Sequence, residues 1–340
     1  MLKPLLKKIA GRIPLCAYSL FIRRDVLGFY YHVVSDEYVP HIRHLYHYKS
    51  RRAFENDLLY LAENFNLITY EQLAAHYSGG QRLKPKSVVL TFDDGLSECY
   101  SVVRPLLLKH GIPCVFFIPT DYIGNGKMCP DHKASLCIDR VMSRENRARS
   151  DVIASVNDAY SKELDSEADL KQWIRSIAAN EHSTIDWLCR FLDIDVQRYL
   201  ETQHPYMTAD EIECLAGDGF TIGAHSVSHR EFDSLTDSEV EEEIIVSCKA
   251  ILSLSGKPHV PFAFPFSADG VSRDMLHELR RRHECVGLFF DTKGILPGRG
   301  FMINRMCGDW PANSAPAKSN LPRLLVQAYI EDLALRLHRP

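Results

Sequence analysis

The chain of 340 residues has no apolar run long enough to cross a bilayer, no C-x-x-C pair among its ten cysteines, and no dominant sign of charge. Each absence excludes something. The longest candidate span, "IPLCAYSLFI", falls well short of the roughly 20 apolar residues that a transmembrane helix needs. A net charge of −4 argues against a nucleic-acid partner held by phosphate neutralisation. The run "RRRH" (Arg280 to His283) fits a solvated helix face. Cysteines scattered through strand-like runs such as "IPCVFFI" suit free, buried thiols in a reducing compartment better than a disulfide framework. No internal repeat or low-complexity segment is present.

Residues 1–25 read as a basic amphipathic segment: Leu2, Leu5, Leu6, Ile9 and Ile13 recur at helical spacing, with Lys3, Lys7 and Lys8 among them. No small-x-small cleavage site follows, and Leu15 before Cys16 spoils a lipoprotein box. A docked terminal helix is the plainer reading, and peripheral membrane contact through this segment is the alternative.

From Val26 onward the pattern alternates. "VLGFYYHVV" reads as a strand, Ala53 to Phe65 and "YEQLAAHY" as helices, and "SVVLTFDD" as a strand whose continuous apolar character means cover on both faces. "SECYSVVRPLLLKHG" predicts a helix stopping at Gly111, and "IPCVFFIP" the next strand. Between about 125 and 205 the pattern becomes polar and helical, too long for a structureless loop, and reads as a helical insertion. The rhythm then resumes. A helix capped by Thr208 precedes the strand "FTIGAH", a helix spans Asp237 to Ser255, and the strands "PFAFPF", "ECVGLFF" and "FMINRM" lead to an amphipathic tail helix. The fold class expected is α/β, a distorted (β/α) barrel with a helical insertion.

Two signals carry chemistry. "TFDDG" sets Asp93 and Asp94 at the end of a buried strand, where two like charges repel unless a cation joins them. On their own the pair also fits a turn or a helix cap with Gly95. "GAHSVSH" supplies the second signal, since His225 and His229, four apart after a strand, can aim both imidazoles at one point. One aspartate and two histidines make a three-ligand site with open positions, the catalytic kind. The other aspartate is then free to take a proton.

These residues resemble the polysaccharide deacetylases with a NodB-type domain (carbohydrate esterase family 4). "TFDDG" matches the family's first motif and "HSVSH" its second, while "YYHVVSD" is similar to an N-terminal strand of many members. The resemblance implies a NodB-like deacetylase domain over 26–340, interrupted by the insertion at about 125–205. It implies Asp93 as general base and Asp94, His225 and His229 as ligands of a divalent metal, usually zinc, sometimes cobalt or nickel. An oxyanion would be held at Pro265 and Phe266, by a backbone N–H near Phe266. The substrate would be an N-acetylated sugar of a glycan, glycolipid or polysaccharide precursor. An O-acetyl esterase, a non-sugar amidohydrolase and an inactive glycan-binding homologue are the alternatives. The thiol pattern and the lack of a secretion signal point to a cytoplasmic enzyme, alternatively one peripheral to the inner membrane face.

Two departures stand out. Where the third motif has arginine this chain has Ala263 in "FAFPF", and Arg305 in "INRM" is the candidate to supply that charge to Asp93. The fifth motif's histidine acid has no convincing match, because His338 in "LRLH" is out of register; His32 is the substitute candidate. Trp310 in "GDW" is a candidate sugar-stacking ring, or plain packing.

Overall fold

The computed structural model describes residues 26–180, 182–296, 300–310 and 318–337; residues 1–25 and His338 lie outside these. Two compact units result. One comprises the chain up to Asp36 with Tyr48–Ile123 and Met207–Pro340, and the other comprises Glu37–His47 with Gly124–Tyr206.

The first unit is a closed parallel barrel ringed by helices. Its strands are β1 (Val26–Tyr31), β2 (Asn66–Leu67), β3 (Ser87–Phe92), β4 (Val115–Ile118), β5 (Thr221–Ala224), β6 (Val260–Ala263), β7 (Val286–Asp291) and β8 (Met302–Cys307). They run in the order β1-β8-β7-β6-β5-β4-β3-β2, and β1 also pairs with β3, which closes the ring. All six residues of β3 and of β7 are buried, as continuous apolar runs with cover on both faces require.

The distortion has a local cause. β1 pairs with β3 along its whole length, from Val26↔Ser87 to Tyr31↔Phe92, and so occupies one edge of β3. The other edge is shared: the two-residue β2 takes Ser87 and Val88, and β4 takes Thr91 and Phe92. β2 therefore never becomes a full stave.

The helices of this unit are α1 (Arg51–Asn64), α2 (Tyr70–Tyr77) and α3 (Arg104–His110), then α9 (Ala209–Gly217), α10 (Asp237–Ser255), α11 (Arg273–Arg282) and α12 (Leu321–Leu337). Capping boxes start α2 at Thr69, α9 at Thr208 and α10 at Thr236. Two expectations are corrected in detail. β1 stops at Tyr31, so His32 follows the strand instead of lying in it. The stretch Cys99–Val103 is a π-helical turn leading into α3, which ends at Gly111 with φ of 63°.

The second unit holds α4 (Pro130–Met142), α5 (Asn146–Tyr160), α6 (Glu167–Asn180), α7 (His182–Phe191) and α8 (Val196–Gln203). It has a hydrophobic core of its own, including Ile138, Val141, Val156, Leu170, Ile174 and Leu188. The nine cysteines among the described residues are free thiols, six of them buried. No helix among the described residues is long and apolar enough to cross a membrane.

Candidate functional site

Asp93 and Asp94 follow β3 at its C-terminal end and are 2% and 5% exposed. The Asp93 N–H donates to the Tyr31 carbonyl at 2.9 Å, continuing the β1–β3 ladder. Asp94 then adopts a φ of 71° and Gly95 one of 62°. This left-handed pair turns the chain off the strand, so the two carboxylates are not forced to opposite faces. A side chain at Gly95 would be strained by its φ and would bring a Cβ 2.9 Å from Ile118 Cγ2.

The carboxylates then part company. Asp93 forms a bidentate pair with the Arg305 guanidinium, Nη1 to Oδ1 at 2.7 Å and Nη2 to Oδ2 at 3.0 Å. Arg305 comes from β8, is fully buried, and also donates to Thr91 Oγ1 at 2.8 Å. The rings of Tyr30 and Phe117 lie 5.0 and 5.1 Å from its guanidinium carbon. Gly28 makes room for it, since a Cβ there would stand 2.7 Å from Arg305 Cγ. The planar fork matches the carboxylate, which is what makes so deep a charge pair tolerable.

Asp94 faces His225 and His229 instead, with its Oδ1 3.5 Å and 3.2 Å from their Nε2 atoms. Burial opposes its ionisation, but His32, His225 and His229 hold the carboxyl well below the usual carboxylate range. His225 directly follows β5, and its Nδ1 lies 2.8 Å from the Ala263 carbonyl. A carbonyl can only accept, so Nδ1 carries the proton and Nε2 presents its lone pair beside Asp94. The ligand atoms of Asp94, His225 and His229 all lie within 4.8 Å of one another. Two imidazole nitrogens and one ionised carboxylate suit a divalent transition-metal cation, so the residues fit the metal that the fold implies.

Glu243 of α10, which sequence reasoning missed, fixes the loop between the two histidines. Its carboxylate accepts from Val227 N at 2.7 Å, Ser228 N at 3.0 Å and Ser228 Oγ at 2.5 Å. The Ser226 and Val227 carbonyls accept from Thr120 N and Asp121 N, and Ser226 Oγ from His229 N at 2.9 Å. Nothing in "EVEEE" distinguishes Glu243 from its acidic neighbours except its phase on the buried side of the helix.

His32 and Asp309 form another pair, missed at Asp309. His32 Nδ1 lies 2.5 Å from Asp309 Oδ2, and the backbone N–H of His32 donates to Asp309 Oδ1 at 3.4 Å. Asp309 is 2% exposed, and its approach depends on Gly308, whose Cβ would collide with the Tyr31 ring at 2.2 Å. Burial works against a charged imidazole, yet the Asp309 and Asp94 carboxylates raise the His32 pKa to about 9. Pro265 is buried, while Phe266 has a φ of 56° and a ring 5.2 Å from that of His229. Phe266 and Trp310 are 46% and 55% exposed.

A family model described as Polysaccharide deacetylase matches residues 80–282, and the chain belongs to this family, the NodB-like carbohydrate esterases of family 4. Solved structures share the fold at low identity. Streptococcus pyogenes deacetylase PplD, determined in complex with acetate, is 14% identical with a TM-score of 0.53, covering 89% of this chain and 97% of its own. IcaB from Ammonifex degensii is 17% identical with a TM-score of 0.53, covering 90% and 97%. BC0361, a polysaccharide deacetylase from Bacillus cereus, is 15% identical with a TM-score of 0.51, covering 90% and 69%. No curated protein matches the chain in sequence. Family and metal-ligand cluster together support a metal-dependent hydrolase of the deacetylase type.

Proposed function

We propose that the protein removes the N-acetyl group from an N-acetylated sugar of a glycan, glycolipid or polysaccharide precursor. The observation that carries this reading is the division of two adjacent carboxylates between different partners, Asp93 with Arg305 and Asp94 with the two histidines. A divalent cation held by Asp94, His225 and His229, zinc or alternatively cobalt or nickel, would supply a Lewis acid that polarises the acetyl carbonyl and acidifies water. Asp93, aimed by Arg305, accepts the proton of the attacking water as general base. The backbone N–H near Phe266, on a turn set by Pro265, donates to the oxyanion. His32 is the general acid. Its pKa, raised to about 9 by the neighbouring carboxylates, keeps it protonated at neutral pH, the form that can donate. The exposed rings of Trp310 and Phe266 offer faces on which a sugar can stack.

The His32–Asp309 pair favours amide over ester substrates. A departing amine needs a proton and an alkoxide leaves more readily without one, so a held acid is of most use for N-deacetylation. Acetate release by the purified protein with zinc or cobalt, from N-acetylglucosamine oligomers, O-acetylated xylan and lipid-linked N-acetyl sugars, tests this. Asp93→Asn should lower turnover by about 10²- to 10⁴-fold, and Asp94→Ala should lose bound metal. Release undiminished by Asp93→Asn would remove the base, and no release from any substrate would favour a glycan-binding homologue.

A further inference from the structure

One buried carboxylate at the site end of the barrel has no part in the deacetylase reading. Asp291 is the last residue of β7, is fully buried, and does not belong to the ligand cluster of Asp94, His225 and His229. A carboxylate out of water is destabilising unless partners compensate. Its Oδ1 accepts from the Ala268 N–H at 3.0 Å and from the Thr292 N–H at 2.8 Å. Its Oδ2 is buried and accepts no hydrogen bond among the described residues, with Arg273 Nη2 standing 3.6 Å away. Arg273 is half exposed, and α11, which it begins, is capped by Ser272 and not by Asp291. The carboxylate is thus spent on the segment 264–268 that follows β6.

That segment is strained at one residue. Pairing of β6 with β7 reaches Ala263↔Phe290, and the Phe264 N–H still donates to the Phe290 carbonyl at 3.0 Å. Beyond it the chain turns, and Phe266 takes a φ of 56°, a left-handed conformation that a bulky residue rarely holds unless its surroundings impose it. Its ring is exposed and meets that of His229 at 5.2 Å, so burial of the side chain does not impose it. The grips come from the chain at the end of β7. Thr292 Oγ1 donates to the Phe266 carbonyl at 2.6 Å, Asp291 holds Ala268 two residues on, and Lys293 pairs with Asp269. The Phe266 N–H donates to no group among the described residues.

We propose that Asp291 is a positioning residue. With Thr292 it holds Phe266 in the left-handed conformation that leaves its backbone N–H free to donate to the oxyanion, a role for Phe266 that rests on the deacetylase reading. The charge has a use here. An asparagine could accept the same N–H groups, but hydrogen bonds to an ionised carboxylate are roughly twice as strong as neutral ones. They hold against the strain at Phe266. A donor aimed before the reaction needs no reorganisation when charge develops on the acetyl oxygen. Asp291 acts through the backbone and not on the reacting atoms.

Amide hydrogen exchange of the full-length protein reads the segment directly, whatever the protein hydrolyses. Asp291→Ala should raise exchange across residues 264–269 by about 10- to 100-fold, the loss of bonds to a charged acceptor. Asp291→Asn, which keeps an acceptor, should raise it less. In acetate release from N-acetylglucosamine oligomers by the zinc-loaded protein, Asp291→Ala should lower kcat by about 10- to 100-fold, less than deleting an oxyanion donor outright. KM and bound zinc should be unchanged, and Asp291→Asn should recover most of the loss. Should Asp291→Ala fail to fold, Thr292→Val, which removes the hydroxyl from a half-buried side chain, should show the same two effects at smaller size. Unchanged exchange in a folded variant would overturn the proposal. So would faster exchange at full kcat, or a kcat loss that follows loss of zinc. A wild type that releases no acetate would end the deacetylase reading, and exchange at 264–269 would still decide the positioning.

Discussion

At the C-terminal ends of the strands Asp93, Asp94 and Asp309 are 2%, 5% and 2% exposed, each against an arginine or a histidine. At the N-terminal ends Arg82, Lys84 and Lys86 are exposed and form no ion pair among the described residues. The same barrel thus treats charge in two ways, for a physical reason. A carboxylate out of water is destabilising by several kcal/mol unless a partner compensates, so each buried one is tied to a specific position on another element. A hydrated cation needs no partner and is available to something outside the molecule.

The largest effect expected from breaking this contrast comes at Arg305. Arg305→Leu leaves Asp93 buried without its counter-charge, and the loss should be about 3–5 kcal/mol of stability, read as a fall in the urea midpoint. Adding Asp93→Asn to that variant should recover much of the stability and none of the turnover. If Arg305→Leu alone leaves both stability and turnover as they were, the pair contributes nothing.

Asp309→Asn comes next. With its charged partner gone, His32 should titrate closer to its ordinary 6.5 than to about 9, and the alkaline limb of kcat for an N-acetyl substrate should move to lower pH. Turnover near pH 8 should fall by about 100-fold for the amide and little for an activated acetate ester, whose leaving group needs no proton. The linkage has a definite sign. A histidine whose folded pKa is raised stabilises the fold fully below pH 6.5 and loses that contribution as pH rises through about 9, so the wild type but not the variant should show this decline. Equal losses on amide and ester would make Asp309 a structural residue only.

Gly28→Ala probes the space behind the same pair. The added carbon meets Arg305 Cγ at 2.7 Å and the Asn304 carbonyl at 2.9 Å, and overpacking of this kind should lower stability by about 1–3 kcal/mol. A change of that size measured as a Tm shift, with kcat reduced through a displaced Asp93, is the expected outcome.

What the sequence makes legible follows the same division. Continuous apolar runs mark β3, β4 and β7 because strands covered on both faces have no polar alternation to hide. "TFDDG" and "HSVSH" are visible because their residues are adjacent or four apart, and the barrel brings them together as β3 and β5 flank β4. Pairings across the whole chain are another matter. Arg305 meets Asp93 over 212 residues and Asp309 meets His32 over 277, and only the closure of β1 against both β3 and β8 sets those distances. The Arg305 pairing was reachable because a missing arginine at Ala263 left a charge to be found. Asp309 left no such gap. Nor did the buried pair of Lys49 and Asp57, which binds Tyr31 through Asp57 and Asn320 through Lys49. The short β2 was likewise hidden, because its length is limited by what β4 leaves of an edge of β3 and not by its own residues.

The smallest effect belongs to the exposed cations, and its smallness is the point. Reversing Arg82, Lys84 and Lys86 one at a time should change stability by no more than about 0.5 kcal/mol each, because exposed side chains without partners have little in the fold to lose. Turnover of a soluble N-acetylglucosamine oligomer should also be unchanged, since the substitutions lie a strand's length, about 20 Å, from the aspartates. Lys86 is the most informative of the three. Its φ of 61° is unfavourable for any side chain, so Lys86→Gly should hold or slightly raise the urea midpoint while removing one exposed cation. A Lys86→Gly variant that loses stability would mean that the lysine serves the fold, and this end of the barrel would then spend its charge as the other end does, on itself.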